Sequence, residues 1–185
     1  MIARTIGYPI ALKAQAIELS HKSDAGGVIL GIEDEGGLRQ SWTALERNVA
    51  EHKPGLELDG VLVEHMSPKG LELIFGARND PDWGPVLLAG SGGVLAEAMR
   101  DVRLMAPDLS AEEIGDELGK LKCARLLRGF RGSPPVDVDA AAHVLSALGA
   151  LVRSHPEIEE VEINPIVLFP KGAGAMALDA LIRVG

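Results

Sequence analysis

The stretch Ile158-Glu159-Glu160-Val161-Glu162-Ile163-Asn164-Pro165 places polar and apolar side chains at alternating positions. Successive side chains of a β-strand point to opposite faces of a sheet, so Glu160, Glu162 and Asn164 share one face while apolar residues fill the other. The pattern predicts a half-buried strand that runs from Ile158 to Ile163.

Outward from this stretch, short apolar runs alternate with turns that contain glycine or proline. The runs predict strands at 8–14, 28–32, 61–66, 71–77, 86–89, 158–163, 166–169 and 175–182. The three runs between 61 and 89 follow one another so closely that an antiparallel meander is predicted there. Helical spacing predicts helices at 38–51, 90–100, 110–121 and 137–155, with a capping box at Ser110 and an N-cap at Asp137.

Composition restricts the classes of protein to which this chain can belong. Its 185 residues are 46% hydrophobic and 24% charged, which is typical of a folded globular protein. The net charge of −9 argues against nucleic acid or an anionic membrane as a partner. Apolar runs too short for a bilayer, the lack of a secretion leader and a single cysteine, Cys123, predict a soluble, cytoplasmic protein without disulfides.

Lys13 lies inside the apolar segment Tyr8-Pro9-Ile10-Ala11-Leu12-Lys13-Ala14. An ammonium group in a half-buried strand needs an anionic partner, because isolated burial of the charge is costly. A bound anion would serve, but so would a nearby glutamate, or water reached from an edge strand. The pattern alone leaves these alternatives open.

The segment His21-Lys22-Ser23-Asp24-Ala25-Gly26-Gly27 combines residue types that bind anions. The two glycines let backbone N–H groups approach an anion closely, while the lysine adds charge and the serine adds a hydroxyl. The spacing is not that of a P-loop, and an ordinary hairpin turn has a similar composition. The histidine is either a carrier of protons or phosphoryl groups, or a plain surface residue.

The C-terminal runs contain carboxylates that need partners. Asp179 is the single charge in its apolar run, so it must be hydrogen-bonded, ion-paired or bound to a metal. With Glu162 and Asn164 it offers hard oxygen ligands, which suit Mg²⁺ shared with nucleotide phosphates, although backbone N–H groups can satisfy the same carboxylate. Arg131 is a further candidate for anion binding, or a plain turn residue.

Several motifs, in one order along the chain, closely resemble the ATP-grasp domain of ADP-forming acyl-CoA synthetases. They are Gly7-Tyr8-Pro9-(x3)-Lys13, His21-Lys22-Ser23-Asp24-Ala25-Gly26-Gly27-Val28, Gly60-Val61-Leu62-Val63-Glu64, Asp82-Trp83-Gly84-Pro85-Val86, Arg131-Gly132-Ser133-Pro134-Pro135, Glu162-Ile163-Asn164-Pro165 and Gly172-Ala173-Gly174-Ala175. The similarity runs from about Gly7 to Ile182. It extends, more distantly, to the nucleotide-binding subunit of succinyl-CoA synthetase.

The resemblance implies an α+β ATP-grasp fold with antiparallel sheets, flanking helices and two lobes, at about 1–65 and 66–185, and without the N-terminal part of the fold. It implies ATP or ADP and Mg²⁺ as cofactors of a ligase. This enzyme interconverts acyl-CoA, ADP and phosphate with free acid, CoA and ATP through a phosphohistidine. The expected partners are the nucleotide and a CoA-binding domain or subunit that carries the main phosphohistidine, within an oligomeric full enzyme.

Carried onto this chain, the resemblance gives the first lobe a nucleotide-binding role. Lys13 looks like the lysine that contacts the nucleotide phosphates, and the 21–27 loop, through Lys22, Ser23, Gly26 and Gly27, looks like the lid over them. The adenosine would be held by a group at the end of the third strand: Glu64, His65 and Met66.

The resemblance also implies the catalytic and metal-binding residues. His21 matches a histidine proposed to relay phosphate, and it is the expected catalytic partner of the phosphate-binding lysine. Asn164 and Asp179 look like the Mg²⁺ pair, with Glu162 as an additional ligand. Arg131 is expected to contact the nucleotide.

The chain departs from the common family pattern at His65, where an acidic residue is usual, and at Met105, where arginine is usual. With the early start of the matched region, these departures support an alternative, a non-catalytic ATP-grasp-like module that serves subunit assembly or regulation. Another acid ligase of the same fold, such as a carboxylate–amine ligase, is a third hypothesis, against which the His21 loop argues. The isolated chain is expected to be incomplete for full ligase activity.

Overall fold

Two units divide the chain, Met1–Pro68 and Lys69–Gly185, and each builds its own sheet and hydrophobic core. The structure is a computed structural model that describes residues 2–19, 22–92 and 101–185. In that part of the chain, none of the helices has the length and apolar character needed to cross a membrane.

The first unit contains a three-stranded antiparallel sheet with β1 at its centre, in the order β2-β1-β3. Its elements are α1 (Ile2–Ile6), β1 (Ile10–Gln15), β2 (Val28–Ile32), α2 (Glu35–His52) and β3 (Gly60–His65). Leu45 and Val49 of α2 join the core formed with Ile10 and Leu12 of β1. Asp34 begins α2, because its Oδ1 accepts the N–H of Gly37.

The second unit contains a six-stranded antiparallel sheet in the order β6-β5-β4-β7-β8, and β9 also pairs with β7. Its strands are β4 (Leu71–Asp80), β5 (Gly84–Ser91), β6 (Val102–Met105), β7 (Ile158–Leu168), β8 (Ala175–Ala177) and β9 (Ala180–Val184). Its helices are α3 (Ala111–Leu118), α4 (Ala124–Leu127) and α5 (Val138–Ser154). Helix residues such as Ile114 and Leu145 share one core with sheet residues such as Phe75 and Leu168.

The predicted helix starts are confirmed in the second unit. Ser110 and Glu113 form the full capping box before α3, and Asp137 caps α5 by accepting the N–H of Ala140. These features depend on residues three or four positions apart, so the local sequence is sufficient to predict them. The helix predicted at 90–100 lies almost wholly outside the described residues, and β5 continues through Ser91.

The predicted meander is wrong in its first strand. β3 pairs with β1 in the first unit, whereas β4 and β5 form a hairpin in the second. Strand spacing shows that strands are present, but it does not show which strand supplies each partner, and here β3 pairs with β1 of its own unit instead of with β4, its nearest neighbour in the sequence.

The break predicted between the strands at 158–163 and 166–169 is also wrong, because both runs belong to one strand, β7, which continues to Leu168. Phe75 of β4 pairs with Ile163 and Leu73 pairs with Ile166, so Asn164 and Pro165 together face a single residue of β4. This bulge accommodates a proline, which has no N–H to donate to the ladder.

Opposite the bulge, the strand predicted at 175–182 is broken. β8 ends at Ala177 and β9 begins at Ala180, so Asp179 lies in the break rather than inside a strand. Two backbone hydrogen bonds still join the segments, from Leu178 N–H to the Pro165 carbonyl and from Asn164 N–H to the Asp179 carbonyl, each 3.0 Å.

Candidate functional site

Lys13 lies in the central strand of the first sheet, with its ammonium group beside a carboxylate. Its Nζ is 2.6 Å from Oε2 of Glu64, and the two side chains are 11% and 38% exposed. Because β1 is flanked by β2 and β3, the edge-strand alternative for this lysine is wrong, and a nearby glutamate is the partner present in the structure. The partial exposure of Glu64 makes this pair accessible to solvent rather than sealed in the core.

The residues assigned to adenosine, Glu64, His65 and Met66, lie at and just after the end of β3. Glu64 is also the partner of Lys13. Glu64 pairs with Ala11 of β1 and His65 pairs with Ile10. The N–H of Met66 donates to the carbonyl of Pro9 at 3.0 Å, which joins the end of β3 to the start of β1. His65 is exposed and Met66 is half-buried.

The glycine-containing loop forms a turn closed by its own backbone. The N–H of Gly27 donates to the Lys22 carbonyl at 2.8 Å, and the N–H of Gly26 donates to the Ser23 carbonyl at 3.0 Å. The N–H groups predicted to bind phosphate are therefore engaged within the turn, and their contact with phosphate stays a prediction. Lys22 is half-buried and Ser23 is exposed, while His21, the predicted relay residue, lies outside the described residues.

Gly26 is required by the geometry of this turn. Its φ is +63°, in the left-handed region, and a Cβ at this position would lie 2.8 Å from Cβ of Asn48 in α2. The turn is thus packed directly against α2, where Nδ2 of Asn48 also donates to the Gly26 carbonyl at 3.4 Å.

Glu162, Asn164 and Asp179 form a cluster where the bulge of β7 faces the break between β8 and β9. Nδ2 of Asn164 donates to Oε1 of Glu162 at 3.0 Å, and the backbone N–H of Asn164 donates to the Asp179 carbonyl. Oδ1 of Asp179 accepts the N–H of Ala180 at 3.0 Å. The structure therefore brings together the three residues predicted to bind Mg²⁺.

The donor set of this cluster suits a hard cation, because two carboxylates and an amide all offer oxygen. The neighbouring Glu160 forms an ion pair with Arg183, in which Nη2 of the arginine lies 2.6 Å from Oε2 of the glutamate. Within residues 2–19, 22–92 and 101–185, no group of three His, Cys, Asp or Glu side chains could hold a metal ion. Cation binding here would therefore depend on the Asn164 amide oxygen and on oxygens supplied by a ligand.

Arg131 lies on the opposite face of the second sheet from this cluster. Glu162 pairs with Gly76 of β4, whose neighbour Phe75 is fully buried beneath the helices, so Glu162 projects from the face away from them. Arg131 instead lines a cavity that includes Leu168, a residue of the helix-covered core. The structure does not bring Arg131 together with the predicted metal ligands.

Asp137 has a role that its predicted cap did not reveal. Its Oδ2 accepts the N–H groups of Gly172 and Gly174, each at 2.9 Å, while Oδ1 caps α5. These hydrogen bonds, led by those from Ala140 and Gly174, hold the pKa of Asp137 below its usual range. The carboxylate thus fixes the turn that leads from β7 to β8 and on to Asp179. In the sequence, the two glycines of Gly172-Ala173-Gly174 were the feature that could have indicated this second role, because their spacing lets two N–H groups donate to one acceptor.

The fold is that of an ATP-grasp domain, and the chain belongs to that family, whose domain model matches residues 1–184. The predicted α+β ATP-grasp fold with antiparallel sheets is thereby confirmed.

Curated relatives of the chain are acid–CoA ligases. It is 46% identical to a trans-feruloyl-CoA synthase from an unknown prokaryotic organism, over 98% of this chain and 26% of the relative. It is 35% identical to the beta subunit of acetate–CoA ligase (ADP-forming) I from Pyrococcus furiosus, over 95% of this chain and 75% of the subunit. The chain thus spans about a quarter of the length of the first relatives and about three quarters of such beta subunits.

Solved structures of the dinucleotide-forming acetyl-coenzyme A synthetase 1 of Ca. Korarchaeum cryptofilum share the fold. The complex with coenzyme A, Ca-AMPCP and HgCl⁺ has a TM-score of 0.91 and 36% identity, covering 100% of this chain and 80% of that chain. A second complex, with coenzyme A and Mg-AMPPCP, has a TM-score of 0.81 and 33% identity over the same shares. In that complex the phosphohistidine segment points towards the nucleotide-binding site.

Proposed function

We propose that this chain is the nucleotide-binding ATP-grasp portion of an ADP-forming acyl-CoA synthetase, an acid–CoA ligase. Such an enzyme interconverts acyl-CoA, ADP and phosphate with acid, CoA and ATP through a phosphohistidine. The names of the relatives and the nucleotide-analogue complexes of the structural neighbours support this proposal. The observation that carries it is the buried Lys13 beside Glu64, because this pair positions a cation at the centre of the first sheet.

In the first unit, Lys13 neutralises the charge of the nucleotide phosphates. Phosphoryl transfer needs mainly positioning and charge neutralisation, so a lysine held by a carboxylate is well suited to it. Lys22 and Ser23 supply the first contacts of the loop with phosphate. The N–H groups of Gly26 and Gly27 contribute once they exchange their hydrogen bonds within the turn for hydrogen bonds to phosphate oxygens. Glu64, His65 and Met66 hold the adenosine.

In the second unit, Glu162, Asn164 and Asp179 hold Mg²⁺. The bond from Asn164 Nδ2 to Glu162 orients the amide and leaves its Oδ1 as a ligand. When bound, the ion would offset the negative charge on the phosphates. The chain's own contribution is to hold two carboxylates and one amide oxygen in a fixed arrangement at the bulge.

Phosphoryl relay is assigned to His21, which takes the γ-phosphoryl group from ATP with ADP as the leaving group. His21 then passes the group to the histidine of a CoA-binding domain or subunit that thereby becomes the main phosphohistidine, and that domain or subunit is the partner that this proposal requires. Arg131 stays a predicted anion contact, and its position on the helix-covered face separates it from the metal cluster.

Mg²⁺-dependent binding of ADP, measured by calorimetry, tests the proposed site. Lys13→Met and Asp179→Asn should each weaken binding about tenfold to a hundredfold, because each removes a charge-assisted contact. Lys171→Met and Asp108→Asn remove like charges from exposed positions and serve as matched controls. Binding that is equally strong in all four variants would contradict the residue assignments.

The alternative is a non-catalytic module for assembly or regulation, and the closed turn of Gly26 and Gly27 favours it, because their N–H groups are already engaged. The two functions differ in the enzyme that contains this domain. If the domain is catalytic, Lys13→Met and Asp179→Asn abolish formation of acyl-CoA from acid, CoA and ATP. Unchanged acyl-CoA formation in both variants would favour the non-catalytic function.

A further inference from the structure

We infer that the second unit contains a separate binding site for a small organic carboxylate with an apolar body. The site is the cavity lined by Arg131, of about 520 Å³, which we call the Arg131 cavity. Its walls are apolar, and the side chains that form most of them are Leu71, Leu126, Phe130, Val136 and Leu168. Its polar groups are the cations of Lys69 and Arg131 and the hydroxyl of Ser133.

The charge of the Arg131 cavity is opposite to that of the chain. The protein has a net charge of −9, yet no acidic residue is among those that line the cavity. In the part of the chain that the structure describes, no carboxylate forms an ion pair with Lys69 or Arg131. Both cations are exposed at the cavity and are able to bind an anion.

The position of Arg131 is determined by a strained loop. Its φ is +49°, and among the described residues it is the only one other than glycine in the left-handed region. Backbone bonds from Ser133 N–H to the Phe130 carbonyl and from Val136 N–H to the Leu127 carbonyl, each 3.0 Å, hold this conformation. Such strain persists where surrounding structure maintains it, and it is concentrated at ligand-binding positions.

Phe130 holds the guanidinium group at the cavity wall. Cζ of Arg131 lies 5.3 Å from the centre of the Phe130 ring, within the range of a cation–π contact. Cζ of Arg125 lies 4.7 Å from the same ring, but Arg125 does not line the cavity. Both arginines therefore contact the same ring and carry the same charge, but only Arg131 lines the cavity.

The chemistry and size of the cavity select the ligand class. A planar guanidinium fork binds carboxylate with two parallel hydrogen bonds, and the leucine, valine and phenylalanine walls cover a phenyl or short alkyl body. The volume lies within the range of pockets that enclose small organic ligands. Since Glu162 projects from the opposite face of the sheet, this cavity is separate from the proposed metal cluster of the same unit.

The test is a titration of the full chain with 4-phenylbutyrate, followed by two-dimensional ¹H–¹⁵N NMR. The shifts should centre on Lys69 and on the loop from Phe130 to Ser133. The neutral 4-phenylbutyramide has the same shape without the charge, and it should bind about tenfold more weakly. Arg131→Gln and Lys69→Gln should weaken carboxylate binding, the first by about tenfold, whereas Arg125→Gln should change it less than about twofold.

Each of several results would overturn the inference. They are an absence of shifts up to the solubility limit, equal affinity for the acid and the amide, and an equal loss in the Arg125→Gln and Arg131→Gln variants. Displacement of the probe by Mg-ADP would place the cavity within the nucleotide site and would also overturn it. If Mg-ADP fails to bind while 4-phenylbutyrate still does, the proposed nucleotide site fails and this inference stands.

Discussion

Replacing Gly149 by alanine in α5 tests whether packing overrides helix propensity in the second unit. Helix propensity alone predicts that Gly→Ala in a helix interior stabilises a protein by about 1 kcal/mol. Gly149 is buried, however, and a Cβ there would lie 2.2 Å from the carbonyl oxygen of Pro107. We therefore expect Gly149→Ala to destabilise the unit.

The size of the expected loss of stability follows from how short this contact would be. Ordinary van der Waals contacts of a Cβ begin at 3.4 Å, and the contacting atom belongs to the backbone, so it cannot rotate away. Overpacking of a core costs about 1–3 kcal/mol, and a fixed backbone atom places this site at the upper end. After the propensity gain is subtracted, the net loss of stability is about 2 kcal/mol.

Urea unfolding followed by circular dichroism measures the effect, with Gly115→Ala as the matched control. Gly115 is also inside a helix, α3, but its nearest neighbour would be Cγ1 of Val138 at 4.0 Å, which is ordinary contact. The control should therefore be stabilised by about 1 kcal/mol. If Gly149→Ala raises the unfolding midpoint as much as the control does, the close approach of α5 to Pro107 is wrong.

Three further predictions concern single residues. Gly26→Ala should destabilise the first unit by about 1–3 kcal/mol in urea unfolding, because its φ of +63° and its approach to Asn48 both oppose a Cβ. The depressed pKa of Asp137, caused by N–H donors led by Ala140 and Gly174, means that its stabilisation is present above the unfolded-state pKa. That stabilisation is lost as the pH falls through the folded-state pKa. The free energy of unfolding of Asp137→Asn should therefore decrease less steeply with falling pH than that of the unchanged chain. Burial, with Asp101 beside it, raises the pKa of Cys123 to about 11, so a thiol reagent should label it slowly at neutral pH and rapidly in urea.

Each of these predictions has its own control. Gly55→Ala has a φ of +87° and open space around it, so it isolates the backbone strain, and a loss equal to that of Gly26→Ala would argue against the contact with Asn48. For Asp137, an acid limb that is unchanged in the variant would show that other carboxylates control acid unfolding. For Cys123, fast labelling of the folded chain would contradict its burial.

Much of the secondary structure was predictable because it depends on short-range patterns. The caps at Ser110 and Asp137 involve residues three or four positions apart, and both are confirmed. The alternation in the stretch from Ile158 to Pro165 correctly predicted that Val161 and Ile163 are buried. The errors arose where the outcome depended on a distant partner: β3 joined another sheet, and Pro165 was accommodated in a bulge opposite β4.

The candidate site was predictable in residue type but not in geometry. The sequence showed that Lys13 needed an anionic partner, and the structure supplies Glu64, which is opposite Ala11 only because β1 and β3 pair in that register. Similarly, Asn164 and Asp179 were candidate ligands, but their proximity depends on the bulge in β7 facing the break before β9.

The sequence by itself determined where α3 and α5 begin, which face of β7 is apolar and, through ordered motifs, the family. Those properties depend on neighbouring residues or on the kinds of side chain present. Only the tertiary structure decided the partner of Lys13, the second role of Asp137, the position of Arg131 beside an apolar cavity and the intolerance of Gly149 to a side chain. Each of these depends on an atom far away in the chain, and only the pairing of strands and the packing of helices bring that atom within contact distance.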